Sequence, residues 1–284
     1  MINITQGIPA GAPLGDLFWW LAGKPVEPTL VEATIAAGDV LRGVLPAAPT
    51  DAQAFTRSAK VASERGKFDV RRVLDDGTEI VFAVSSVTAD KAAKRAAYQH
   101  ESVCELDLRT GAATFDGAGG EAIHDEYHRL RGRYGGPEWM GMGRTFVALS
   151  KAIPVRKDGG VYWLPYDSQW SPALRRLGDV FGQFGGRVSI APQYATDETK
   201  AAVGASAKDA FLAELHDVAE DIKGFTERTR AKTIEDRLGD LTELRSRAEW
   251  VSGLLSESAN GLLAMIAPLE TACVEAMLAD TTAV

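Results

Sequence analysis

Residues 153–166 read IPVRKDGGVYWLPY, and the interpretation of the chain starts from them. Ile153 to Arg156 and Val161 to Leu164 are runs of β-branched and aromatic residues, and Lys157-Asp158-Gly159-Gly160 between them supplies an Asp-Gly pair suited to positive φ. The two runs are expected to form an antiparallel hairpin. Pro154 has no N–H to give a ladder and Pro165 stops the second run, which places the hairpin at a sheet edge. Just before it, Arg144 to Lys151 predicts a helix. After it, Ser171 as N-cap and Pro172 at the first helical position open another. Its stripe of Leu174, Leu177, Val180, Phe181 and Phe184 keeps a helical period, Gly185-Gly186 ends it, and Arg187 to Tyr194 predicts a strand.

Toward the N-terminus, Met1 to Pro13 reads as an extended arm, and Leu14 to Ala22, with Phe18, Trp19 and Trp20, is too apolar to be left in water. Glu27 to Leu45 predicts one helix ended by Pro46 and Pro49, and a second follows Thr50-Asp51 as far as Glu64. From Phe68 the period changes to two. Phe68 to Leu74, the turn Asp75-Asp76-Gly77 and Thr78 to Val87 predict a hairpin; Tyr98 to Leu108 and Ala112 to Phe115 add two more strands. One face of Tyr98 to Leu108 is mostly charged, so the sheet is expected to be antiparallel and covered on one side. Gly117 to Gly120 reads as a joint, Glu121 to Arg133 as a helix, and Tyr134 to Gly143 as a glycine-rich connection.

Beyond Ala195 the pattern is helical. Phe211, Leu215, Val218, Ile222 and Phe225 step by four and three, as do Ile234, Leu241, Leu244, Ala248, Val251 and Leu255, with Arg237 as the one departure, so these helices are expected to pair either with each other or with another subunit. Thr233 with Asp236 suggests a capping box for this second helix, and a third, Leu262 to Leu278, is interrupted near Pro268. The expected class is α+β: an antiparallel-sheet head with flanking helices and a C-terminal coiled-coil-like tail. In chain order this gives an arm and helices over 1–66, a head over 67–194 and a tail over 195–284.

Composition narrows the function. A chain of 284 residues that is 45% apolar can bury a sizeable core. No apolar run reaches the ~18 residues of a membrane span, and no charged leader precedes a long apolar stretch, so neither a span nor a signal peptide is expected and the cytoplasm is the expected location. Cys104 and Cys273 match no metal spacing and are expected as free thiols. The chain lacks a Walker loop, a Gly-x-Gly-x-x-Gly after a strand and a Gly-x-Ser-x-Gly, so no cofactor is expected. Charge is uneven. From Thr196 onward there are 17 acidic and 9 basic residues, which carries the whole net −8, while residues 129–187 hold ten basic against four acidic.

Three features taken together, Ala54-Phe55-Thr56-Arg57-Ser58, the charged hairpin from Val70 to Val84, and Gly159-Gly160-Val161-Tyr162-Trp163-Leu164-Pro165 followed by a helix and an acidic helical tail, resemble an uncharacterised bacterial and phage protein family of unknown function. The resemblance spans about residues 54–255. It implies this layout and brings no catalytic residue.

Three functional readings compete. The tail seam, with Phe211, Leu215, Val218, Ile222, Leu241, Leu244, Val251 and Leu255, suits a homo-oligomer or a protein partner, and so a non-enzymatic accessory or assembly protein. The basic block, with Arg144, Arg156, Lys157, Tyr162, Arg175 and Arg176, suits a nucleic-acid surface on an accessory factor of phage or mobile-element origin, where cations meet phosphates and an aromatic stacks on a base. Tyr162 and Trp163 alternate, so at most one can join such a surface. The same cations could instead meet the acidic tail. Third, His124 and His128 stand four apart on a predicted helix with Asp125 between them, the spacing of zinc hydrolases, although Asp is a shorter base than Glu and no third ligand stands near. Gly141-Met142-Gly143-Arg144 is half a phosphate loop and reads as a glycine hinge.

Overall fold

A computed structural model of the chain describes residues 10–65, 68–90, 95–155, 160–225, 229, 231–255 and 260–281. The class is α+β, with two four-stranded sheets. The described residues divide into two compact units that follow the sheets rather than chain order. One takes the chain up to Trp20, Thr145–Gly178 and everything from Val188; the other takes Leu21–Arg144 and Asp179–Arg187.

In the second unit, β2 (Phe68–Asp75), β3 (Glu79–Asp90), β4 (Arg95–Asp107) and β5 (Ala113–Phe115) form an antiparallel meander in that order. The β2–β3 reversal falls at Asp76-Gly77, where Gly77 takes φ +82° and the Asp76 carboxylate accepts from the Thr78 and Glu79 N–H groups at 2.8 and 3.0 Å. Ile80, Phe82, Val84, Cys104 and Leu106 point to one face. Helices α2 (Asp51–Glu64) and α3 (Gly117–Leu130) cover it with Ala54, Phe55, Ala59, Ile123 and Tyr127. Helix α2 starts at Thr50 through a reciprocal capping box with Gln53.

The glycine joint expected at 117–120 is instead the first turn of α3. Gly119 and Gly120 are buried there, and a Cβ on Gly119 would overlap the Val84 side chain and stand 3.1 Å from Ser102 Oγ. These glycines serve close approach of helix to sheet, not chain reversal. The helix expected over Glu27–Leu45 is also different: α1 spans Pro28–Thr34, and a separate 3-10 turn covers Val40–Val44. Gly38 at φ +83° breaks the run, and the Asp39 side chain accepts from Leu41 N–H to restart it. The connection expected over Tyr134–Gly143 is largely the start of α4 (Gly136–Ser150), where the Glu138 carboxylate accepts from Gly135 N–H at 2.9 Å. Trp139 is fully buried against Phe181 and Phe184 and donates to the Lys24 carbonyl at 3.0 Å.

In the first unit the apolar stretch near the N-terminus is a strand, β1 (Pro13–Leu21), which joins β6 (Ile153–Pro154), β7 (Tyr162–Pro165) and β8 (Arg187–Tyr194) in the order β6-β7-β1-β8. The hairpin is present, with β6 at the edge; its turn, residues 156–159, lies outside the described residues. Register places Asp16 opposite Leu164, Leu17 opposite Trp163 and Phe18 opposite Tyr162. Alternation then gives two faces. Phe18 packs on Phe146 of α4, and Asp16 meets α5 (Trp170–Gln183). Leu17, Ile153 and Trp163 turn the other way, toward Val203 and Ala207 of α6 (Asp197–Lys223). Helix α5 is capped by Asp167, not Ser171: the Asp167 carboxylate accepts from Gln169 and Trp170 N–H at 2.7 and 2.8 Å, while Ser171 Oγ accepts from Asp167 N–H.

The tail is a three-helix bundle of α6, α7 (Ala231–Leu255) and α8 (Asn260–Thr281). Helix α6 starts at Asp197, capped by Thr196, and α7 starts at Ala231, so Thr233 lies inside α7 and caps nothing. Pro268 sits within α8, where its missing N–H leaves the Ala264 carbonyl without its helical donor.

Candidate functional site

The tail seam read from the sequence is spent inside the bundle. Phe211, Leu215, Val218 and Ile222 of α6 and Ile234, Leu241, Leu244 and Ala248 of α7 close on Ile266 and Cys273 of α8 in one core. Six of the eight residues expected at an oligomer or partner interface are therefore buried within the chain. The other two, Val251 and Leu255, lie outside the residues whose side chains are described. Arg237, the charged departure in that seam, pairs with Asp221 of α6 at 2.8 Å and with Asp240, and Arg245 of α7 pairs with Glu270 of α8, so ion pairs tie α7 to both of the other helices.

What remains outside is the far side of α8. Ala264, Met265, Ala267, Pro268, Thr271 and Val274 are exposed along it, recurring every three or four residues, and Met265 and Val274 are each nearly half exposed. From 260 to 277 the sequence holds two charged residues, Glu270 and Glu275, and no cation. Glu270 is engaged with Arg245. Glu275 is exposed on the same side, so the outer face of α8 is an apolar stripe with one carboxylate near its C-terminal end, on the most acidic part of the chain. The sequence carried this signal in a helix poor in charge, whereas α6 and α7 are rich in it. A search for seams finds the buried face first.

Two residues of the basic block are taken up by the fold. Arg175 is held by Asp16: both guanidinium nitrogens donate to the two carboxylate oxygens at 3.0 Å, and this hydrogen bonding raises the arginine's pKa further. Asp16 is itself buried, so the pair is a fixed structural element. Tyr162 lies in an aromatic trio, stacked on Trp20 with ring centroids 5.2 Å apart and 5.8 Å from Phe18. Trp163 is buried on the opposite side of β7. Arg176 has its own interaction, Arg144 is exposed, and Arg156 and Lys157 lie outside the described residues. Two of the six proposed phosphate or base contacts thus serve the fold.

His124 and His128 do share a face of α3. Their ring centroids are 4.4 Å apart, and both pack on Phe115, at 5.1 and 6.5 Å. Asp125 Oδ1 stands 3.2 Å from His124 Nδ1 on the exposed side of the helix. Among the described residues no group of three or more His, Cys, Asp or Glu side chains is placed to hold a metal ion. A zinc hydrolase needs three protein ligands and an open position; this pair supplies two.

The strongest electrostatic cluster is structural too. Buried Glu126 of α3 accepts from Arg129 and from Arg65 at 3.3 Å, and the Arg129 hydrogen bond holds its carboxyl below the ordinary glutamate range. Arg131 donates to both Asp51 oxygens at 2.9 and 2.8 Å and stacks over Tyr127. Burial pushes the Cys104 thiol up to about 11, which keeps it protonated and unreactive near neutrality. Among the described residues, no helix is long and apolar enough to cross a membrane.

Searches of curated proteins and of solved structures return no match. A family model does match, over residues 13–282 and so over both sheets and the tail: the chain belongs to the family of unknown function DUF6744.

Proposed function

We propose that this chain is a non-enzymatic accessory or assembly protein, acting in the cytoplasm, that self-associates through the outer face of α8. The observation that supports this reading is the exposed stripe Ala264, Met265, Ala267, Pro268, Thr271 and Val274 on a bundle whose own seam is already filled. A second copy suits the stripe better than an oppositely charged partner does. The tail from Thr196 has a net −8, which would draw a basic partner to α6 and α7, while α8 meeting α8 brings few like charges together. At 22 residues α8 is about 33 Å long, and small side chains let two such helices approach closely. A contact of this size falls at the low end of specific interfaces, so association in the micromolar range is expected.

Light scattering at about 100 µM chain tests the reading. The wild type is expected at twice the 30.4 kDa chain mass, with little change between 50 and 500 mM salt because the contact is apolar. The Met265→Lys/Val274→Lys double variant should run as a monomer with an unchanged helical signal. A strictly monomeric wild type would sink the proposal.

A further inference from the structure

Helix α6 changes character along its length. Over the tail core it presents Phe211, Leu215, Val218 and Ile222, but over the sheet it presents Ala202, Val203, Ser206 and Ala207. The opposing sheet face does not fill the space those small residues leave. A cavity of about 310 Å³ results, floored by Leu17, Ile153 and Trp163. Protein interiors leave few voids larger than a water, and a site of roughly 300 Å³ is where small-ligand pockets begin. At about 30 Å³ per water, the space corresponds to a molecule of on the order of ten heavy atoms.

The lining sets the chemistry. Its walls are mostly aliphatic and aromatic, and its polar residues are Glu198 and Thr199 in the first turn of α6, Ser206 further along that helix and Gln193 of β8. Glu198 is the one charged side chain among the described lining residues, and it is exposed at the rim. The Thr196 cap and the acidic first turn, Asp197 and Glu198, already answer the partial positive charge of the helix start. A carboxylate or phosphate in the cavity would therefore meet a like charge, whereas an ammonium group would meet Glu198 with its apolar body on Trp163 and Leu17.

We propose that this cavity is a binding site for a small apolar amine, with Glu198 receiving the ammonium group. The site is independent of α8, so it stands or falls apart from self-association. Three probes of matched shape test it: phenylbutylamine, phenylbutanol and phenylbutyrate, followed by ligand-observed NMR titration of the full chain. The amine should bind saturably and at least about five-fold more tightly than the carboxylate, in the range a rim ion pair provides. Glu198→Gln should remove that preference while leaving the alcohol's binding unchanged. Ala202→Phe, at an exposed position on α6, should fill the cavity and abolish binding of all three. Preference for phenylbutyrate would overturn the assignment. So would saturable binding of none of the probes; a higher Tm for Ala202→Phe would then mark the space as a plain packing void.

Discussion

Two helices lie on two sheets in this protein, and both do so with small residues, to opposite effect. On the β2–β5 sheet, α3 brings Gly119 and Gly120 so close to β3, β4 and β5 that a Cβ at either would meet Val84 or Phe115. On the β6-β7-β1-β8 sheet, α6 brings Ala202, Ser206 and Ala207 and leaves about 310 Å³ unfilled. In the first case the missing side chains let backbones touch; in the second they leave space that no other described residue fills. A small residue thus signals closeness or vacancy depending on how far the elements stand apart, and its identity alone does not say which.

The largest effect expected from this contrast is at Gly119. Adding one methyl there should cost about 3 kcal/mol, because Val84 is itself fully buried and cannot give way. Gly239 in α7, where no atom stands within 4 Å, is the matching control: Gly239→Ala should gain about 0.7 kcal/mol from helix propensity. Urea denaturation of both variants reads the pair, and equal effects at the two positions would break the distinction. A smaller effect is expected at Glu126, which braces α3 through Arg129 and Arg65. Glu126→Gln should cost about 1.5 kcal/mol at neutral pH. Because the folded carboxyl is held below its ordinary 4.5, its contribution is full above that value and fades as pH falls through the lowered one. Variant and wild type should therefore converge in stability only as pH falls below that lowered value; a gap that stays constant with pH would show that the pairing is unimportant.

How much of this was legible beforehand follows the range of the interactions. Asp76-Gly77 announces its reversal, Thr50-Asp51 the start of α2, and Phe68 to Leu74 with Thr78 to Val87 their pairing, since each is decided within a few residues. Residues Leu14 to Leu21 are recognisable as apolar, but their pairing with Tyr162–Pro165 spans just over half the chain, and no local pattern encodes it. The glycines at 117–120 read as a hinge because sequence gives flexibility and not the approach of Val84. Arg175 read as a free cation because Asp16, its partner, is 159 residues away. The heptad steps in α6 and α7 were correctly seen as a seam, yet the same steps serve an internal bundle and an external coil equally well. The outer face of α8 emerged only once α6 and α7 were known to cover the inner one.

Self-association through that face can be tested by chemistry at its centre. In a two-fold pairing of like helices, a residue near the middle of the contact meets its own copy. Thr271 is exposed on α8, and the native Cys104 and Cys273 are both buried, so Thr271→Cys would place a single reactive thiol there. Under mild oxidation it should give a disulfide-linked dimer rapidly at micromolar concentration, while Lys208→Cys, equally exposed on α6, should not. Equal cross-linking at the two positions, or none at Thr271→Cys, would contradict the account.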